Sequence, residues 1–124
     1  KFLQAVRLDP NNANYHSDLG EMYRRIGMLD QSITFNLEAV KLNSELDNTN
    51  YNLGLSYYDN NDFDKAITHF KKAIEINPSH GFAWNNLGSS YEKQDKLKQA
   101  VSISSLNALA SEILPTKLIP FECP

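Results

Sequence analysis

The dipeptide Leu-Gly stands at Leu19-Gly20, Leu53-Gly54 and Leu87-Gly88, 34 residues apart each time, and a tyrosine follows each pair at Tyr23, Tyr57 and Tyr91. Spacing this regular makes the chain an array of one repeated unit. A helical unit of such length cannot bury its apolar face alone, so the fold has to come from stacking neighbours. A stack leaves a long face free as a working surface.

Other residue classes keep the same period. Asp18, Asn52 and Asn86 precede the Leu-Gly pairs, and twelve residues after each glycine stand the small residues Ser32, Ala66 and Ala100. Midway lie Gly27, Asn61 and Asp95, types that tolerate a left-handed backbone or a turn closed by a side chain, so each unit reads as helix, turn, helix. In the middle unit Leu53, Gly54 and Tyr57 form one stripe at helical spacing, and Ala66, Ile67, Phe70, Ala73 and Ile74 form another. The two stripes are expected to face each other, with glycine opposite alanine or serine so that the backbones approach closely. Units are separated at Asp9-Pro10-Asn11-Asn12, Asn43-Ser44-Glu45 and Asn77-Pro78-Ser79, and the proline in the first and last of these disfavours helix in the residue before it.

These residues resemble the tetratricopeptide repeat, whose signature of Trp, Leu-Gly, Tyr, Ala, an aromatic, Ala and Pro is met best from Asp47 to His80, by Leu53, Gly54, Tyr57, Ala66, Phe70, Ala73 and Pro78. Asn50 replaces the leading aromatic there. The third unit supplies that aromatic as Trp84 but loses the pattern after Ala100, with Ser104 and Asn107 where an aromatic and an alanine belong. The first full unit has Asn36 for the aromatic and Ser44 for the proline, and Phe2, Ala5 and Pro10 fit the end of a further unit upstream. The resemblance implies an all-α fold, a right-handed superhelical α-α solenoid of antiparallel helix pairs. The expected organisation is an array over residues 1–111, comprising the end of a truncated repeat (1–12) and repeats at 13–46, 47–80 and 81–111, then an atypical tail at 112–124. The chain begins without methionine inside a second helix, as a piece of a longer array would. The tail holds Pro115, Pro120 and Pro124 and reads as a worn terminal helix followed by disorder, the alternative being an ending from another reading frame or an alternative splice end.

A net charge of −3 argues against nucleic-acid backbone or an anionic membrane as the main partner. Cys123 is the one cysteine and cannot form an internal disulfide, and the N-x-Ser/Thr triplet Asn77-Pro78-Ser79 is blocked by its proline. With no apolar run near the ~18 residues of a membrane span, the expectation is a cytoplasmic or nuclear protein.

No chemistry is expected of this segment. His16, His69 and His80 are too dispersed in sequence for a metal motif. The run Asp59-Asn60-Asn61-Asp62-Phe63-Asp64 looks like a calcium loop, but the required glycine and glutamate fall at Asp64 and Phe70. Asp62 and Asp64 read better as a polar helix start. Ser89 and Ser90 follow a glycine without a nucleophile elbow or a base. The reading is therefore of a non-enzyme with no metal and no cofactor.

The informative surface is the side of the first helices turned away from the Leu-Gly and Tyr stripe. It carries Asn14, Ser17, Asp18 and Glu21, then Asn48, Tyr51, Asn52 and Leu55, then Phe82, Asn85, Asn86 and Ser89. The resemblance implies that this side lines a concave groove holding an extended or helical segment of a partner protein. Asn52 and Asn86 can each donate and accept, which suits an extended backbone, and Tyr51, Leu55 and Phe82 add an apolar patch. Relatives that bind the acidic carboxyl ends of chaperones need lysines and an arginine here. Ser17, Asp18, Glu21, Asn48, Asn52, Phe82 and Asn86 occupy those positions, so no acidic-tail clamp is expected. The resulting expectation is a protein-interaction module with a scaffold or adaptor role. The alternative is the substrate-recruiting region of a larger enzyme similar to O-linked N-acetylglucosamine transferase.

Overall fold

The computed structural model describes residues 9–113, with side chains up to residue 102. The expectations for Phe2 and Ala5 and for the tail from Pro115 lie outside the described residues. Five helices follow in order: α1 (Ala13–Arg25), α2 (Leu29–Leu42), α3 (Asp47–Asp59), α4 (Phe63–Ile76) and α5 (Gly81–Ile113), with no strand among the described residues. The fold is an all-α array of helix pairs in which α1 packs on α2, α3 on α4, and α2 on α3.

Two turns close the pairs in the same way. Gly27 at φ 85° and Asn61 at φ 63° are left-handed, and the N–H of the next residue returns to a tyrosine carbonyl: Met28 N to Tyr23 O and Asp62 N to Tyr57 O, both 2.9 Å. This is the hydrogen-bonding of a helix end closed by a left-handed residue. Asp62 then caps α4 by accepting from the Lys65 N–H at 3.3 Å.

The turn expected at Asp95 does not form, because α5 runs through it as one helix of 33 residues. Asp95 stands where Gly27 and Asn61 take left-handed backbone, and Lys96, which cannot accept a hydrogen bond, stands where Asp62 caps. The surrounding run Glu92-Lys93-Gln94-Asp95-Lys96-Leu97-Lys98-Gln99 is made mostly of strong helix formers. Of the described residues, 9–92 form one compact unit and 93–113 belong to a second.

The core of the first unit gathers Leu53, Tyr57, Ala66, Ile67, Phe70 and Leu87, with Ile33, Val40 and Ile74 packed against it. The partner of each glycine is the residue sixteen further on. A Cβ on Gly54 would lie 2.6 Å from the Phe70 ring, and one on Gly20 would lie 2.6 Å from Asn36. The nearest atoms opposite Gly54 are therefore those of Phe70, not of Ala66 as the spacing suggested. Asn36, filling the aromatic position of the first pair, is fully buried and donates to Ser56 Oγ at 3.3 Å. Ser56 Oγ in turn lies 2.6 Å from Ser32 Oγ, which donates to Gly20 O at 2.7 Å. Polar contacts thus replace ring packing where the first two pairs meet.

Candidate peptide-binding face

The entry to each first helix is set by a side chain that reaches the carbonyl six residues back. Trp84 Nε1 donates to Pro78 O at 2.8 Å, Asn50 Nδ2 to Ser44 O at 3.2 Å, and His16 Nε2 lies 2.7 Å from Pro10 O. A carbonyl only accepts, so Nε2 of His16 carries the proton. The position that reads as an aromatic in the signature works here as an N–H donor. That explains how Asn50 substitutes for tryptophan, and it is legible only once the three residues are seen bonded alike.

With the helices so placed, residues about 35 apart meet across neighbouring first helices. Asn52 Nδ2 donates to Ser17 Oγ at 3.2 Å, Tyr51 OH to Asn86 Oδ1 at 3.0 Å, and Arg24 to Asp59 Oδ2 at 2.9 Å. Tyr58 OH lies 2.9 Å from Ser89 Oγ, and Asn48 Oδ1 lies 3.1 Å from His80 Nε2. Residues assigned from sequence to one face are therefore brought together by direct bonds between repeats.

Those bonds also divide the assigned residues. Ser17 is buried and anchors Asn52, while Glu21, Tyr51, Asn52, Leu55, Asn86 and Ser89 are half-buried. Asn14, Asp18, Asn48, Phe82 and Asn85 are exposed, and the Phe82 ring, 71% exposed, lies 6.5 Å from that of Tyr51. Each asparagine amide is partly committed: Asn52 keeps its oxygen and Asn86 keeps its NH₂ for another partner.

Electrostatics at the α1 end follow from the same geometry. Burial pushes the Glu21 carboxyl up, but hydrogen bonds and charge from Arg24 and Arg25 outweigh it and hold the group below its usual range. Arg24 shows the mirror effect: burial disfavours its charge, yet Glu21 and Asp59 hold the guanidinium more firmly protonated. Asp18 is raised by burial. Asp18, Glu21, Met22 and Arg25 border a shallow cavity of about 270 Å³. Among the described residues no group of three or more His, Cys, Asp or Glu could hold a metal ion, and no helix is long and apolar enough to cross a membrane.

A family model described as tetratricopeptide repeat matches residues 48–80, and a second with the same description matches residues 1–34 and 69–102. The chain belongs to the tetratricopeptide repeat family. Among solved structures it is similar to the first tetratricopeptide domain of Spaghetti (RPAP3) bound to the HSP90 peptide SRMEEVD, at 17% identity and TM-score 0.74 over 76% of this chain and 75% of that one. The first such domain of human RPAP3 is 16% identical, with TM-score 0.76 over 79% and 77%. A MamA structure is 28% identical, with TM-score 0.71 over 90% of this chain and 61% of that one. The chain thus spans less than two thirds of MamA. No curated protein sequence matches it.

Proposed function

We propose that this chain is a protein-interaction module that holds an extended polypeptide along its first helices. One observation carries the reading: Asn52 and Asn86, one repeat apart, each have half an amide engaged between repeats and half left over. Together they offer an acceptor and donors to an extended backbone. The apolar side chains of the ligand would rest on Tyr51, Leu55 and the exposed Phe82.

The preferred ligand is not an acidic tail. The Spaghetti (RPAP3) domain is bound to the HSP90 peptide SRMEEVD, a segment with a strongly acidic end. Here Arg24 and Arg25 are already paired with Glu21, and Arg24 also with Asp59, while Asp18 adds negative charge. A neutral or basic segment with spaced apolar residues suits this face better.

The test is binding to an array of unstructured peptides of varied charge. The double variant Asn52→Ala/Asn86→Ala should weaken capture by about 0.5–1.5 kcal/mol for each amide. Ser17→Ala, which removes only the anchor of Asn52, serves as control and should lose less. Unchanged capture by the double variant, or a preference for acidic peptides, would overturn the proposal.

A further inference from the structure

The exposed Phe82 ring is the outer member of an aromatic cluster centred on Tyr51, whose ring centroid lies 6.5 Å from that of Phe82, 4.7 Å from His80 and 5.7 Å from Phe70. Phe70 is fully buried and Phe82 stands in solvent, so the cluster runs from the core to the surface. The hydrogen bonds around it fix which atoms a ligand meets. The Ala83 N–H donates to His80 Nδ1 at 3.2 Å, so that nitrogen holds a lone pair and the proton of the neutral ring is on Nε2. Nε2 therefore donates to Asn48 Oδ1 at 3.1 Å, just as Tyr51 OH donates to Asn86 Oδ1 at 3.0 Å. Both side-chain oxygens are thus occupied. What Asn48 and Asn86 have left are their NH₂ groups, neither of which has a partner among the described residues.

From this arrangement we infer that the segment held here contains consecutive prolines in the polyproline II conformation. The inference rests on the reading of this side as peptide-binding and names the class of ligand. Rings flanked by side-chain donors, with the neighbouring acceptors used up, are complementary to a chain that offers carbonyls and no N–H. Proline meets both conditions, because it lacks the N–H and its ring packs on aromatic side chains. The match is one of charge as well: amide hydrogens bearing partial positive charge meet carbonyl oxygens bearing partial negative charge. Any other residue would bring its N–H to a place where both asparagine oxygens are taken. A polyproline II segment is also extended before it binds, so little chain entropy is lost on docking. Toward α1 the pattern reverses, since Asn52 keeps its oxygen, and the ligand residue there carries an N–H.

The probe is a peptide of consecutive prolines flanked by alanines and blocked at both ends, which carries no charge. The full chain should bind it about tenfold more tightly than the same peptide with alanine in place of every proline. The side-chain NH₂ resonances of Asn48 and Asn86 should shift during the titration. Asn48→Asp/Asn86→Asp keeps the oxygens that receive His80 and Tyr51 but removes the donors, and should weaken binding of the proline peptide by about tenfold or more. Phe82→Ala, at an exposed position, should weaken it too without lowering the melting temperature. Tyr51→Phe releases Asn86 Oδ1 as an acceptor and should narrow the preference for proline over alanine. Equal or tighter binding of the alanine peptide would overturn the inference, as would proline binding indifferent to both Asn48→Asp/Asn86→Asp and Phe82→Ala. Capture of other unstructured peptides, sensitive to Asn52→Ala/Asn86→Ala, would in that event leave the interaction-module reading standing. Failure to capture any peptide would bring down both.

Discussion

The middle and third repeats share Leu-Gly, the following tyrosine and a small residue twelve positions on, yet only the middle one is divided into two helices. The difference lies in three residues outside that shared set. Asn61 gives way to Asp95, the capping Asp62 to Lys96, and Phe70 to Ser104. A first helix that carries the right stripe is therefore not enough by itself to end in a turn. Closure needs a residue willing to turn left-handed, a cap for the next helix, and a ring large enough to fill the space over the glycine.

The largest test of this contrast is Phe70→Ala. It empties the space over Gly54 and should cost about 3–5 kcal/mol in chemical denaturation. A loss well below that range would mean the ring is not what holds the middle pair shut. Next comes Gly54→Ala, whose Cβ would lie 2.6 Å from the Phe70 ring and should destabilise by about 1–3 kcal/mol. The same change at Gly88 should have the opposite sign, a gain of about 0.5–1 kcal/mol, because the position is open and helical. Equal effects at the two glycines would erase the distinction between the repeats.

The smallest effect belongs to the closed pair alone. His69 stacks on Tyr57 at 5.7 Å between ring centroids, its Nδ1 is buried without a partner, and burial lowers its pKa from 6.5. Well above pH 6.5 the ring is neutral in both folded and unfolded chains. As pH falls below that value the unfolded chain takes up the proton first, so stability declines until the folded-state pKa is passed. In melting curves taken from about pH 7.5 down to about pH 5, either side of the ordinary histidine pKa, the parent should therefore lose ground to His69→Gln, which has no ring to titrate. A difference between the two that does not vary with pH would show that the ring titrates alike in both states.

The helices α1 to α4 and their pairing are legible from the Leu-Gly register because burial at fixed spacing leaves a direct trace in residue type. The continuity of α5 through Asp95 is not, since aspartate is compatible with both a turn and a helix; only the missing cap at Lys96 and the helix-forming run around it decide between them. The face is legible as a set of positions, and Tyr51, Asn52 and Asn86 do come together across repeats. What spacing does not reveal is that these side chains bond to one another first. Hydrogen bonds between residues 35 apart have no signature in a single sequence. The same holds for Ser17, which looks like surface by helical phase and is buried beneath Asn52.

The bonds from Asn52 to Ser17, Tyr51 to Asn86 and Arg24 to Asp59 have a mechanical consequence. They run across the joints of the array, like rungs between its first helices. Hydrogen bonds lose strength over a few tenths of an ångström, so a small change in the splay of neighbouring repeats releases them in step. The atoms freed would be amide, hydroxyl and carboxylate groups on the face that the ligand is proposed to occupy. Curvature and stickiness are thus one variable in this chain: flexing the array outward adds hydrogen-bonding capacity to its face, and straining it back withdraws that capacity.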